Sequence, residues 1–177
     1  MRNTFLILSI VIVGFSSCSE PLVDKAEINP NLIRYGNFEN QTLSLDLWSN
    51  DGAGEFNIED MESYEGKFAM HLNPESCMQL FYNEAVYVEK EKLYELSLAI
   101  KLDGEQTNCS GGLIMHIFQG EKTLLQFNID KSNAEQWVVK KYYFTPISDD
   151  MLEFEIISGV HNTFLDDVQL RLVGEFN

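Results

Sequence analysis

LYELSLAIK, residues 93–101, sets Tyr94, Leu96, Leu98 and Ile100 against Glu95, Ser97, Ala99 and Lys101. Successive side chains of an extended chain leave on opposite sides, so an apolar/polar alternation of period two marks a half-buried strand. Lys67 to Leu72 alternates likewise, with Phe68, Met70 and Leu72 on the apolar side. Near the C-terminus Phe164, Asp166, Val168, Leu170 and Leu172 fall on one face of a further expected strand. Leu113 to Phe118 and Trp137 to Phe144 are apolar on both sides, as strands covered twice are. Turn signals separate these runs: Asn50-Asp51-Gly52, Asp103-Gly104, Gly111-Gly112, Gln119-Gly120 and Ser158-Gly159. Short strands at this spacing, with no long amphipathic helix, predict an all-β chain folded as an antiparallel β-sandwich or barrel.

Upstream the pattern changes. Arg2, the apolar run Phe5 to Val13 and the small residues Ser16 and Ser17 precede Cys18, which is the layout of an export signal. The run is far shorter than the roughly twenty residues a membrane-spanning helix needs. Phe15-Ser16-Ser17-Cys18 resembles the lipobox of bacterial lipoproteins, with Phe15 where Leu is usual, and implies cleavage after residue 17 and lipidation of Cys18. Residues 19–30, SEPLVDKAEINP, have charges and prolines without apolar period and read as a tether. The expected organisation is therefore a signal peptide (1–17), the lipidated cysteine and tether (18–30) and one sandwich domain (31–177). About 160 residues suffice for one sizeable core.

The chain carries 28 Asp and Glu against 12 Lys and Arg, a formal net charge of −16. Such a surface repels phosphate backbones, which excludes nucleic acid as a natural partner. Its carboxylates are hard oxygen ligands of the kind calcium takes. Export places Cys77 and Cys109 in an oxidising compartment, where they either pair as a disulfide or remain two separate buried thiols.

Three spaced segments, NLIRYGNFEN (31–40), YEGKFAMHL (64–72) and FLDDVQL (164–170), together resemble the opening strand, the Gly-Lys-aromatic-Ala-Met strand and the closing strand of galactose-binding-like jelly rolls, the scaffold of xylan- and glucan-binding carbohydrate-binding modules. MQLFYNEAVYVEKEKLYELSLAIKL (78–102) and QWVVKKYYF (136–144) match two further strands in order, although Glu91 or Lys92 stands where a Gly usually precedes the Tyr. The resemblance implies a jelly-roll sandwich and a structural Ca²⁺ held by Glu39 and Asp166. It also places Trp48 and Trp137 in the core.

A glycan site requires rings facing solvent with amide, carboxylate or imidazole groups beside them. Gln79, Tyr82, His116 and Phe118 are the strand candidates, and Tyr64 and Tyr87 lie on loop segments. Gln79 stands out because a polar group within an apolar strand must find a partner in the fold or in a ligand. Catalytic signatures are missing from the sequence: His71, His116 and His161 lack metal-ligand spacing, and there is no nucleophile elbow or phosphate loop. The expected function is a non-catalytic, membrane-anchored carbohydrate-binding lipoprotein of the cell envelope, in the outer membrane because Ser19 rather than Asp follows Cys18. The alternative is an envelope protein that docks a protein partner on the same sandwich.

Overall fold

A computed structural model of the chain describes residues 30–109 and 111–175. The signal, Cys18 and the tether before Pro30 lie outside the described residues. Among the described residues nine strands and one short α-helix follow in the order α1 (Gln41–Asp46), β1 (Trp48–Glu59), β2 (Ala69–Tyr82), β3 (Val86–Val88), β4 (Lys92–Leu102), β5 (Gly112–Gln119), β6 (Lys122–Asp130), β7 (Val138–Phe144), β8 (Asp150–Ser158) and β9 (Thr163–Glu175), with a 3₁₀ turn (Lys131–Asn133) between β6 and β7. Every pairing is antiparallel and the strand order is β6-β5-β8-β2-β9-β4-β7, with β1 on β2 and β3 on β8. The all-β sandwich expected from the alternation is the fold observed.

Strand β2 belongs to two layers. Its second half, Met78 to Phe81, pairs with β8 and joins the front sheet β6-β5-β8-β2. Its first half, Met70 to Leu72, pairs with β9 and joins the back sheet β2-β9-β4-β7. Between them the β1–β2 ladder slips at Gly52 and Gly54, both at positive φ. Asn50-Asp51-Gly52 is therefore a bulge inside β1 and not the turn its composition predicts. Pro74 sits at the same elbow, where a missing N–H costs no ladder bond. A Cβ at Gly52 would run into the Cys77 carbonyl, so the crossing needs glycine there.

Between the layers lie Leu72, Met78, Leu80, Leu96, Leu98, Ile100, Met115, Ile156 and Leu170, all fully buried. Trp48 joins this core beside Phe38 and Tyr82, as expected. Trp137 does not. It precedes Val138, whose partner Ile100 faces inward, so Trp137 packs on the outer side of the back sheet against Phe164 and Tyr64. Residues 31–40, expected as an opening strand, take no strand geometry. They turn at Tyr35 and Phe38, both with left-handed φ, and lie along β9 through Leu32 N–H to Leu170 O and Val168 N–H to Gly36 O.

Cys77 and Cys109 form a disulfide with Cα atoms 5.1 Å apart, which settles the two readings of these cysteines. It ties the elbow of β2 to the loop before β5, closing a sequence separation of 32 residues. Replacing both cysteines by serine is expected to lower the unfolding free energy by about 2–4 kcal/mol. Urea denaturation measures it: dithiothreitol should shift the wild-type midpoint by a similar amount and leave the double variant where it is.

Candidate functional site

The outer face of the front sheet follows from register. Directly opposed residues share a face, which gives one row through Gln79, Ile157 and Ile114 and the next through Phe81, Glu155 and His116. Phe118, opposite Glu153, continues the face. Three of the four strand candidates, Gln79, His116 and Phe118, thus come together on one surface of half-buried side chains. Phe81 and Glu155 complete it and were not among the sequence candidates. Phe81 could have been found, since it is two residues from Gln79 and so shares its face; the pairing of Glu155 with His116 needs the long-range register.

Tyr82 is the exception. It stands three residues from Gln79, and an odd separation along a strand reverses the face. Its ring is 6% exposed, edge-on to Trp48 and to Phe154. The hydroxyl donates to Glu84 Oε2 at 3.0 Å and accepts the Arg34 N–H at 2.9 Å. Burial pushes its pKa well above the ordinary tyrosine value. Tyr82 is a core residue and cannot touch a ligand.

On the open face, His116 Nδ1 lies 2.7 Å from Glu155 Oε2, with the two side chains 17% and 13% exposed. A carboxylate only accepts, so Nδ1 carries the proton and Nε2 is left for another group. The Phe118 ring centre is 5.4 Å from that of His116. Gln79 makes no side-chain hydrogen bond among the described residues, although Ile157 and Phe81 flank it. Gln119 shows the opposite case: 4% exposed, it donates to Ser148 O and accepts from Ile147 and Ser148 N–H, so its amide is consumed by the fold.

At the back sheet the expected neighbours Glu39 and Asp166 line one cavity of about 210 Å³ together with Asn37, Glu65, Gly66 and Asp167. The route differs from simple alternation. Ser97 pairs with Gln169 and Ala99 with Asp166, so β9 carries an extra residue at Asp167, whose φ is 47°. This bulge sends Val168 and Leu170 into the core and Asp166 outward, correcting the expectation that the three share a face. Loop 60–68 then covers Asp166. Its Oδ2 accepts Tyr64 and Glu65 N–H at 2.9 and 3.0 Å, and Oδ1 accepts Asp167 N–H at 2.7 Å. Burial nevertheless raises its pKa to about 6, because three amide dipoles do not replace the lost water. Glu39, open to solvent, accepts Lys67 and Phe68 N–H at 2.8 and 3.0 Å through Oε1, and those bonds lower its pKa. A Cβ on Gly66 would strike the Glu39 carboxylate, so glycine lets the loop close. Among the described residues no three His, Cys, Asp or Glu side chains are arranged to hold a metal ion. Two carboxylates, Asp166 buried and Glu39 open to solvent, would fit Ca²⁺ if backbone carbonyls and water completed its roughly six to eight oxygens.

No family model and no curated protein matches the chain. Solved structures do. A family 16 carbohydrate-binding module is 17% identical, with a TM-score of 0.60 over 79% of this chain and 99% of that one. A family 61 module in complex with β-1,4-galactotriose is 12% identical, TM-score 0.60, covering 81% and 99%. The CBM22-1 xylan-binding domain of Paenibacillus barcinonensis Xyn10C is 17% identical, TM-score 0.50, covering 72% and 86%. The fold is that of the carbohydrate-binding-module jelly rolls.

The raised pKa of Asp166 has a defined sign. Its neutral form is favoured in the fold over the unfolded chain, so it adds stability below about pH 4 that is lost as pH rises through about 6. Metal-free protein should therefore gain about 1–3 kcal/mol relative to Asp166→Asn between pH 7 and pH 5. Denaturant melts of both proteins across that window test it, and parallel curves would refute it.

Proposed function

We propose that this chain is a non-catalytic, membrane-anchored carbohydrate-binding protein of the cell envelope, and that the outer face of the front sheet holds an uncharged glycan. The observation that carries the reading is Gln79: an amide without a partner among the described residues, set between Ile157 and Phe81 on a face that also presents His116, Phe118 and Glu155. Half-buried rings offer sugar C–H faces a flat surface, while an amide, an imidazole nitrogen and a carboxylate oxygen suit hydroxyls. The carbohydrate-binding modules that share the fold support it. Register places acids on this face, Asp51 opposite Gln79, Glu153 and Glu155 on β8 and Asp130 opposite Gly112, and these favour neutral sugars over uronates. Anchoring through Cys18, and the outer membrane as its place, rest on residues 1–19 of the sequence.

Affinity electrophoresis and calorimetry against xylan, β-glucan, galactan and polygalacturonate test the reading. A neutral polysaccharide should bind, and Gln79→Ala, His116→Ala and Phe118→Ala should each weaken it by about tenfold or more, equivalent to about 1–3 kcal/mol. Tyr82→Phe should lower stability and leave affinity intact. Flat isotherms from folded protein with all the neutral polymers would end the proposal.

Glu39 and Asp166 are proposed to hold Ca²⁺, which would join the segment around Phe38 to β9 and keep Asp166 ionised. Calcium should then raise the melting temperature, EDTA should reverse the gain, and Asp166→Asn should abolish it. Equal melting temperatures with calcium and with EDTA would dismiss the ion.

A further inference from the structure

Tyr87 has no place in the core and no side-chain hydrogen bond among the described residues, and the residue is 71% exposed on β3. β3 pairs with β8 alone among the described strands, through Val86 with Leu152, Tyr87 with Met151 and Val88 with Asp150. Val86 and Val88 point inward and are buried, so parity fixes Tyr87 on the outside. Its partner Met151 is 42% exposed.

Parity along β8 then decides what Tyr87 belongs to. Met151, Glu153, Glu155 and Ile157 alternate on the same side of β8, and Glu155 is the partner of His116. Tyr87 and Met151 are thus the far end of the face that holds Gln79, His116 and Phe118. From Met151 to Ile157 the strand rises by about 20 Å, at roughly 3.4 Å per residue. That span exceeds two linked sugar rings and suits a longer chain.

We infer that Tyr87, seated on Met151, is a distal subsite that stacks on a sugar ring of a linear glycan laid along β8. The inference rests on the glycan reading of the front sheet and adds an orientation and a length requirement to it. An exposed aromatic ring on an edge strand offers a face on which a sugar ring can stack. Between Tyr87 and His116 the register places Glu153 of β8 with Phe118 opposite it. The ligand is then an internal stretch of a polymer, read at several points, and not a single terminal sugar.

Titration calorimetry with xylohexaose, cellohexaose, β-1,4-galactohexaose and the three corresponding disaccharides tests the subsite on the intact protein. For the hexasaccharide that binds, Tyr87→Ala should weaken affinity at least fivefold, and Tyr87→Phe should retain it. The disaccharide should be bound equally by the wild type and Tyr87→Ala, whereas His116→Ala should weaken both lengths. Unchanged melting of Tyr87→Ala separates a lost contact from a damaged fold. A hexasaccharide bound equally well by Tyr87→Ala, or an equal loss on both lengths, overturns the subsite and leaves the glycan reading standing. If no hexasaccharide binds the folded wild type, the glycan reading itself falls and the subsite goes with it.

Discussion

Two layers of this sandwich share one strand, and the fold depends on how that strand turns. β2 has to leave the back sheet after Leu72 and enter the front sheet at Met78 while β1 follows it. A continuous ladder would force the two halves into one twisted plane. The slip at Gly52 and Gly54, the prolyl nitrogen of Pro74 and the close approach of Gly52 to the Cys77 carbonyl break the ladder at one place and allow the strand to cross. The disulfide from Cys77 to Cys109 then fixes that elbow to the loop leading into β5. Since β5 carries His116 and Phe118 and the second half of β2 carries Gln79, the elbow sets both sides of the candidate face.

The alternation in residues 93–101 was enough to assign strand β4 and its inward face, but not the cover on its other side, where Ser97, Ala99 and Lys101 are buried too; conversely β7, apolar on both sides in sequence, leaves Val139 and Tyr143 exposed. The same rule failed where the backbone departs from strict period two. Asp167 adds a residue to β9, and after it inward and outward positions exchange, so Asp166 could not be placed by counting from Val168. Nothing in a single acidic pair announces such a bulge. Tyr82 is a different kind of miss: its opposite parity to Gln79 was on the page, but a Tyr at a strand end reads equally as platform or as core. Glu155 was out of reach, since its significance comes from a partner 39 residues away.

Gln79 and Gln119 differ in burial and in partners. Both amides have apolar neighbours in sequence, Gln79 between Met78 and Leu80 and Gln119 after Phe118. Gln119 is enclosed, and its oxygen and nitrogen meet the backbone of residues 147 and 148, so its role ends within the fold. Gln79 faces outward, where water satisfies it in the free protein and a hydroxyl could replace that water at little enthalpic difference. On the proposed reading, the gain on binding would come from the neighbouring rings, while the amide would govern which orientation of ligand is accepted.

The back-sheet carboxylates complement this division of labour. Glu39 and Asp166 border one cavity and both accept backbone N–H groups, yet their protonation is driven in opposite directions. The difference is water: Glu39 keeps it and gains two charge-assisted bonds, whereas Asp166 is sealed under loop 60–68 and loses more hydration than three amides return. A cation between them would cancel the burial cost at Asp166 and add attraction at Glu39, and would thereby hold loop 60–68 on β9. That loop covers the sheet opposite the candidate glycan face. Closure there would act on β9 through Asp166 and not on Gln79 or His116, so a calcium ion would set the stability of the scaffold more than the chemistry of the site.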